Sequence, residues 1–212
     1  MRRIVLVLAG GASRRMGMDK LSLQAHREGD KTILDHVVDC ALEVSESVVI
    51  VHAPVKTATL NRIANRCDVR IRFHSDDLWY NGPLFALANA WPNSDEAQIV
   101  HVVAGDLPGL NAEVLLSCEA MLRTKTDVDA VLVTRESRLQ PLLGCYRQRV
   151  GQIFRAAVTT DERRLMKVVE SCSVARINAE SAGWPLWWTE PVHTKEDYER
   201  WQRDGREFRA KT

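Results

Sequence analysis

The sequence lacks the cysteine spacing of a zinc or redox site. Its five cysteines include no Cys-x-x-Cys pair, the spacing that a zinc ribbon or a thioredoxin-like centre needs. An odd number of scattered cysteines in a chain of 212 residues is typical of reduced thiols and predicts a cytoplasmic protein. The cysteines are Cys40, Cys67, Cys118, Cys145 and Cys172.

A long apolar run and a dominant charge are also missing. The first apolar run, residues 4–9, is shorter than the ~7–15 residues of a secretory signal core, and no stretch approaches the ~20 residues of a membrane span. With 29 Lys and Arg against 28 Asp and Glu, no overall field draws the chain to nucleic acid or to an anionic membrane. We therefore expect neither partner, and the length predicts a single domain over residues 1–212.

What the sequence does contain is an alternation of strand and helix patterns from end to end. The predicted strands are 4–9, 47–51, 69–73, 99–104, 130–133, 142–146 and 174–177, and the predicted helices are 32–42, 57–66, 84–91, 111–122, 161–169 and 194–202. This alternation predicts a three-layer α/β/α sandwich with a mostly parallel central sheet. Ligands of such sheets bind beyond the carboxyl ends of the strands, so the loops after Ala9, Phe73 and Ala104 are the candidate sites.

The loop after the first strand is rich in glycine and in positive charge. Residues 8–20 read LAGGASRRMGMDK and contain three glycines together with Arg14, Arg15 and Lys20. Glycines let backbone amides approach a ligand closely, and fixed cations beside them suit a triphosphate. The loop fits neither GxxxxGK[ST] nor GxGxxG, which disfavours a P-loop or a hydride-transfer dinucleotide fold. The alternative is a solvated basic turn, which explains so dense a cluster less well.

This loop resembles the signature of the nucleotidyltransferases related to molybdenum cofactor guanylyltransferase and, more loosely, that of the sugar-nucleotide pyrophosphorylases. The resemblance implies a Rossmann-like fold of the nucleotide-diphospho-sugar-transferase type. Cytidylyltransferase relatives carry alanine where this chain has Gly10, and the missing methyl leaves room for a purine, which favours GTP over CTP. The residues that the resemblance places on the nucleotide are Leu8, Ala9 and Gly10 at the base and ribose, and Gly11, Arg14 and Lys20 at the triphosphate.

A second match follows the third predicted strand, where the family has an acidic residue, a spacer and Gly-Pro-Leu. Here Asp76 and Asp77 precede Gly82, the glycine of that motif. A carboxylate beside guanine can accept hydrogen bonds from the ring N–H and the amino group, which adenine cannot match. Either aspartate can fill this role, and Gly82 lets the backbone approach the ligand. The alternative is a helix entry with favourable acidic residues near its N-terminus.

A third match places a carboxylate directly after a buried strand. Asp106 follows residues 99–104 in the sequence VVAGDLP and corresponds to the metal-binding aspartate of the family. Mg²⁺ prefers a few carboxylate oxygens together with phosphate oxygens and waters. The resemblance therefore implies that Asp106 holds Mg²⁺, with Arg14 and Lys20 stabilising the pyrophosphate that leaves. A simple turn-capping role is the alternative for Asp106.

The C-terminal part of the chain departs from the family pattern. Pro191 and His193 stand where the family has two asparagines that face the active site, so His193 is either a substitute ligand or a structural histidine. Trp184, Trp187 and Trp188 form a cluster that is either a flap buried against the core, which we favour slightly, or a stacking platform for a pterin.

The resemblance as a whole implies one reaction. A Mg²⁺-dependent enzyme transfers GMP from GTP to the phosphate of molybdopterin and releases pyrophosphate, forming molybdopterin guanine dinucleotide. Three alternatives stay open: the same chemistry with CTP, another phosphorylated small molecule such as a sugar phosphate as acceptor, and a nucleotide-binding module without turnover.

Overall fold

The chain folds into one central sheet with helices on both faces. The computed structural model describes residues 2–10, 19–25, 31–55, 57–76, 82–93 and 97–209, with side chains as far as residue 203. The strands are β1 (Arg3–Leu8), β2 (Val48–His52), β3 (Ile71–Ser75), β4 (Ile99–Ala104), β5 (Ala130–Arg135), β6 (Arg138–Arg147) and β7 (Val174–Asn178). The helices are α1 (Ile33–Val44), α2 (Ala58–Ala64), α3 (Pro83–Ala90), α4 (Ala112–Thr124), α5 (Val150–Thr159), α6 (Leu165–Glu170) and α7 (Lys195–Arg209).

The order of the strands creates a crevice between β1 and β4. The seven strands lie in the order β3-β2-β1-β4-β6-β5-β7, and β6 is antiparallel to both of its neighbours. The chain runs outward from β1 through β2 to β3 and then crosses to the other side of β1 to form β4. Leu8 and Ala104, the last residues of β1 and β4, are register partners at this switch point. Open α/β sheets bind their ligands at such a point, beyond the carboxyl ends of the strands.

Strand β1 shows why the fold has three layers. Val5 and Val7 belong to the core that packs against α1, α2 and α4, whereas Ile4 and Leu6 belong to the core that packs against α3, α5 and α6. Successive side chains of a strand point to opposite faces, so a continuous apolar run is buried on both sides. The predicted α/β/α sandwich with a mostly parallel sheet is confirmed.

Helix α5 is absent from the sequence prediction. Its N-cap residue, Arg149, makes no side-chain capping hydrogen bond, and Gly151 lies within its first turn. A Cβ on Gly151 would lie 2.0 Å from Cδ1 of Trp91, so only glycine lets the helix approach the indole. Phe154 then packs edge-on against Trp91 with ring centroids 5.1 Å apart. The contact with Trp91 therefore requires a glycine at position 151, and glycine has a low helix propensity, which weakens the sequence signal for α5.

The starts of α6 and β6 and the end of α7 also differ from the prediction: β6 begins at Arg138 and not at 142, and α7 ends at Arg209 and not at 202. The predicted helix over 161–169 begins only at Leu165, because Asp161 has φ of 56° and a left-handed residue cannot belong to a right-handed helix. Strands β5 and β6 form a hairpin whose two turn residues, Glu136 and Ser137, have φ of 48° and 62°. Tight hairpins favour positive φ at both positions, but Glu-Ser carries none of the Asn-Gly signal that would predict one.

Two further features are the state of the cysteine thiols and the apolar character of the helices. All five cysteines are free in the structure. Burial raises the pKa of Cys118 to about 12, so this thiol stays protonated. Within the described ranges, no helix has the length and apolar character needed to cross a bilayer.

Candidate active site

Two pockets open beyond the carboxyl ends of the strands and meet at Asp106. The smaller has a volume of about 260 Å³ and lies among the ends of β1 and β2 and the start of α3. The larger has a volume of about 1010 Å³ and lies between the β5–β6 hairpin and residues 186–200. Ala104, Asp106 and Leu142 line both pockets. A group held at Asp106 is therefore in reach of molecules in either pocket.

The backbone around Asp106 is fixed by contacts to two distant segments. The N–H of Gly105 donates to the carbonyl of Leu8 at 2.9 Å, and the carbonyl of Asp106 accepts from the N–H of Val192 at 2.9 Å. A Cβ on Gly105 would lie 3.0 Å from the Leu8 carbonyl oxygen and 3.2 Å from Cδ1 of Leu34. The glycine before Asp106 therefore lets β4 continue tightly beside β1, which places the carboxylate at the switch point.

The carboxylate of Asp106 is buried and ionised. Its Oδ2 forms an ion pair with Nζ of Lys20 and lies 3.4 Å from Nδ1 of His193. Burial opposes ionisation, but the hydrogen bond from His193 and the charge of Lys20 together hold the pKa of Asp106 below its ordinary value. Its Oδ1 is buried and has no hydrogen-bond partner among the described residues. One oxygen of the carboxylate thus stays available for an electropositive ligand.

Lys20 is held by a short 3₁₀ turn at the end of the glycine-rich loop. The side chain of Asp19 caps this turn by accepting from the N–H of Leu21 at 3.1 Å, and Leu21 is buried in the core. These anchors aim Lys20 at Asp106 and into the smaller pocket. Gly11 and Arg14, which the sequence predicts at the triphosphate, lie outside the described residues.

The smaller pocket gathers the other residues predicted to contact the nucleotide. They are Leu8, Ala9, Gly10, Asp76 and Gly82, and all five line it. A Cβ on Gly10 would have the backbone N of Ala53, 3.4 Å away, as its nearest described neighbour, which is ordinary contact. Packing among the described residues therefore does not require glycine at position 10. Asp77 lies outside the described residues.

The glycine of the Gly-Pro-Leu motif has a conformational role. Gly82 has φ of 92° and precedes Pro83, the first residue of α3. An L-residue is strained at this φ, and proline is favoured in the first turn of a helix. The motif thus sets the direction in which α3 leaves the pocket wall.

His52 is a pocket residue that sequence reasoning missed. It ends β2, it is 3% exposed, and it lines the smaller pocket beside Asp76. Its Nδ1 donates to the carbonyl of Ala53 at 2.6 Å, because a carbonyl can only accept. Its own carbonyl accepts from the N–H of Asp76 at 2.8 Å. A sequence signal for His52 did exist, because it is a polar residue at the carboxyl end of an apolar strand. The same position relative to a strand marked the other candidate loops.

The larger pocket has a charged wall built on a buried glutamate. Glu190 is 5% exposed and receives Nη2 of Arg135 at 3.2 Å and Nη2 of Arg200 at 2.9 Å. Arg138 lies on the same pocket, and its guanidinium has no ion-pair partner within the described part of the chain. Sequence reasoning missed this cluster, because its members lie on β5, β6, α7 and the segment before α7.

The three tryptophans of the cluster lie in two different environments. Trp184 is buried in the core and Trp188 packs against it, as a buried flap would. Trp187 instead lines the larger pocket next to Leu186, which is 49% exposed. A Cβ on Gly109 would lie 2.4 Å from the carbonyl oxygen of Trp187, so the loop after Asp106 and the tryptophan segment are in direct contact.

Comparison with known proteins gives a family match and named relatives. Residues 5–177 match the family model of the MobA-like NTP transferase domain. A protein of Bacillus mycoides named "Probable molybdenum cofactor guanylyltransferase" is 29% identical over 203 residues, which cover 94% of this chain and 95% of that protein.

Solved structures show the same fold. Molybdopterin-guanine dinucleotide biosynthesis protein A from Archaeoglobus fulgidus has a TM-score of 0.72 at 20% identity, covering 96% of this chain and 99% of its own. A 4-diphosphocytidyl-2C-methyl-D-erythritol synthase from Anaerococcus prevotii has a TM-score of 0.75 at 12% identity, covering 97% and 96%. The predicted Rossmann-like nucleotidyltransferase fold is thereby confirmed.

Proposed function

Because the chain belongs to the MobA-like NTP transferase family and so is a nucleotidyltransferase, we propose that it transfers GMP from GTP to the phosphate of molybdopterin. The observation that carries this proposal is the position of Asp106, which lines both pockets and pairs with Lys20. A nucleotide and an acceptor bound in separate pockets would present their reacting phosphates to each other at that residue. The name of the Bacillus mycoides relative supports molybdopterin as the acceptor.

The smaller pocket suits the guanosine of GTP. Asp76 offers carboxylate oxygens to the ring N–H and amino group of guanine, a pair of donors that adenine does not present. No described atom would lie closer than 3.4 Å to a Cβ at Gly10, so the part of the chain that the structure describes leaves room for a base beside this residue. Both features favour guanine, and the space at Gly10 favours it over a pyrimidine.

The larger pocket suits an acceptor with a flat ring and a negative charge. Trp187 and Leu186 give it an apolar wall, and Arg138, whose guanidinium has no ion-pair partner among the described residues, gives it a cation. Aromatic rings stack on indoles, and guanidinium groups bind phosphate in bidentate fashion. Molybdopterin combines a pterin with a phosphate monoester, so it matches both features.

Asp106 fits a divalent cation, for which we propose Mg²⁺. The carboxylate is ionised and its Oδ1 lacks a hydrogen-bond partner among the described residues. Within the described part of the chain, no group of three or more His, Cys, Asp or Glu side chains forms a protein cage for a metal. Mg²⁺ commonly binds one or two carboxylates together with substrate phosphates and waters. When bound, the ion would neutralise charge on the α-phosphate.

The side chains of the protein form no covalent bond to the substrates in this reaction. An oxygen of the acceptor phosphate attacks the α-phosphorus of GTP, and the bond from that phosphorus to the bridging oxygen breaks, so pyrophosphate leaves. Lys20 stabilises the charge that develops on pyrophosphate, and Arg14 joins it in the glycine-rich loop. The two pockets hold the reacting groups in line, so catalysis rests on positioning and electrostatics.

Pyrophosphate release tests the proposal. The protein is incubated with Mg²⁺ and each of GTP, CTP, ATP and UTP, with and without molybdopterin. Release confined to GTP with molybdopterin is the expected result. Release with CTP and molybdopterin would overturn the choice of nucleotide, and release with GTP and a sugar phosphate would overturn the choice of acceptor. GTP binding with no release under any condition would indicate a binding module.

A further inference from the structure

His193 lies against the one carboxylate that both pockets share. Its Nδ1 is 3.4 Å from Oδ2 of Asp106, and it lines the larger pocket. The imidazole is 54% exposed, whereas the carboxylate is 10% exposed. The ring can therefore adjust its orientation while the carboxylate stays fixed by its buried surroundings.

The two oxygens of Asp106 are used unequally. Oδ2 receives both Lys20 and His193, whereas Oδ1 is buried without a hydrogen-bond partner among the described residues. A buried acceptor left unsatisfied costs about 1–3 kcal/mol, so each such group in a native protein requires an explanation. A cation bound at Oδ1 provides one, and it would lie beside the imidazole.

The separation of the two groups suits shared ligation. Two ligands of one ion at about 2.1 Å each, placed at a right angle, lie about 3 Å apart. The observed 3.4 Å between Nδ1 of His193 and Oδ2 of Asp106 places the imidazole at about this spacing from the carboxylate, whose other oxygen, Oδ1, is the one left for the ion. A small rotation of the half-exposed His193 side chain is enough to bring both groups onto one ion.

We infer that His193 is a second protein ligand of the ion at Asp106 and that it gives the site a higher affinity for Mn²⁺ than for Mg²⁺. This inference rests on the proposed function only in taking the ion at Asp106 from it. Mg²⁺ is a hard cation that prefers oxygen ligands, whereas imidazole nitrogen suits first-row transition ions. A site of one carboxylate, one imidazole and substrate phosphates therefore supports Mg²⁺ but binds Mn²⁺ more tightly.

Electron paramagnetic resonance of Mn²⁺ tests this directly. Mn²⁺ is bound to the full chain in the presence of GTP, and the electron spin echo is examined for modulation by a coordinated ¹⁴N nucleus. We expect nitrogen modulation in the wild-type protein and its loss in His193→Asn, which replaces the nitrogen ligand with an amide oxygen. Bound Mn²⁺ without nitrogen modulation in the wild-type protein would overturn the inference.

Competition between the two ions gives a second measurement. Mg²⁺ is titrated against bound Mn²⁺, and the ratio of the two affinities is compared between variants. We expect His193→Asn to lower the ratio of Mn²⁺ affinity to Mg²⁺ affinity by about tenfold. Substitutions around metal sites typically lower metal affinity by about 10- to 100-fold, and this value is the lower end of that range. His74→Asn, which removes an imidazole that lines neither pocket, serves as the control and should leave the ratio unchanged. An unchanged ratio in His193→Asn would also overturn the inference.

These outcomes separate the inference from the proposed function. Nitrogen modulation together with no pyrophosphate release from GTP and molybdopterin would uphold the ligand and reject the reaction. Pyrophosphate release together with bound Mn²⁺ that lacks nitrogen modulation would do the reverse. Because the side chain of His193 is half exposed, His193→Asn should keep the wild-type melting temperature, so a loss of signal would not reflect unfolding.

Discussion

Lys20 and Asp106 are separated by 86 positions in the sequence, and their side chains form an ion pair at the junction of two pockets. The lysine belongs to the end of the glycine-rich loop and the aspartate to the loop after β4, which the crossover at β1 brings together. Each charge compensates the other. A triphosphate and its cation would take over both partners, so the pair holds a partly buried lysine and a buried aspartate where a substrate would contact them.

Substituting Asp106 should abolish turnover without unfolding the protein. Asp106→Asn keeps the shape of the side chain but loses the negative charge that a divalent ion needs, and we expect pyrophosphate release to fall by about 100-fold or more. Release assays and thermal unfolding monitored by circular dichroism measure the two effects. Asp127→Asn, at an exposed carboxylate that lines neither pocket, should leave both unchanged. Wild-type rates in Asp106→Asn would reject the metal assignment.

Lys20→Ala should weaken nucleotide binding far more than it lowers the melting temperature. Charge-assisted hydrogen bonds are worth about 1.5–3 kcal/mol, so GTP affinity should fall by about 10- to 100-fold in isothermal titration calorimetry. Lys31→Ala is the matched control, because its side chain is 65% exposed and pairs with Asp39 away from both pockets. If Lys20→Ala binds GTP as tightly as the wild type does, the loop does not hold the triphosphate.

Gly10→Ala should discriminate against GTP. The added methyl would contact the backbone of Ala53 at 3.4 Å, so the protein can accept it, but it would fill space proposed for the base. We expect kcat/KM for GTP to fall by about tenfold and kcat/KM for CTP to change less, the effect of one methyl in a tight pocket. Gly105→Ala, whose Cβ would lie 3.0 Å from the Leu8 carbonyl, should instead lower the melting temperature. Equal changes for both nucleotides would contradict a steric role in base selection.

Gly109→Ala should affect the acceptor and spare the nucleotide. Its Cβ would lie 2.4 Å from the carbonyl oxygen of Trp187, so the segment that carries Trp187 must shift within the larger pocket. We expect KM for the acceptor to rise several-fold, while the affinity for GTP measured by calorimetry stays at the wild-type value. A loss of GTP affinity with an unchanged acceptor KM would show that the two pockets have been assigned the wrong way round.

Glu119 should make the stability of the fold depend on pH. Its buried carboxylate lies 2.9 Å from Nε2 of His101 and 2.6 Å from Nη2 of Arg123. Burial opposes ionisation, but these partners and Arg3 lower the pKa of Glu119 from its ordinary 4.5 to about 2. A depressed pKa in the folded state adds stability above pH 4.5, and that stability is lost as the pH falls toward 2.

Urea unfolding at a series of pH values measures the contribution of Glu119. Between pH 7 and pH 3 the free energy of unfolding should fall by about 2 kcal/mol more in the wild type than in Glu119→Gln, which cannot titrate. Other carboxylates titrate in both proteins, so the difference between the two curves isolates Glu119. Parallel curves would mean that the carboxylate has the same pKa in the folded and unfolded states.

Much of the architecture was already readable in local patterns. The apolar run of β1 predicted a strand buried on both faces, and the alternation of such runs with helical segments predicted the layered fold. The position of Asp106 after β4 predicted a carboxylate at the functional edge of the sheet. These signals are local, because strand and helix periodicities depend on neighbours only a few residues apart.

The sequence by itself therefore determined the layers of the fold, and it predicted which end of the sheet and which residues would bind a nucleotide. Only the tertiary structure decided that Lys20, Asp106 and His193 meet, that His52 joins the smaller pocket, and that Glu190 gathers two arginines in the larger one. The tertiary structure also decided that α5 forms, because Gly151 allows the close contact with Trp91 although glycine does not favour a helix. The physical reason is that these contacts depend on the order of strands in the sheet, which is set by burial over the whole chain.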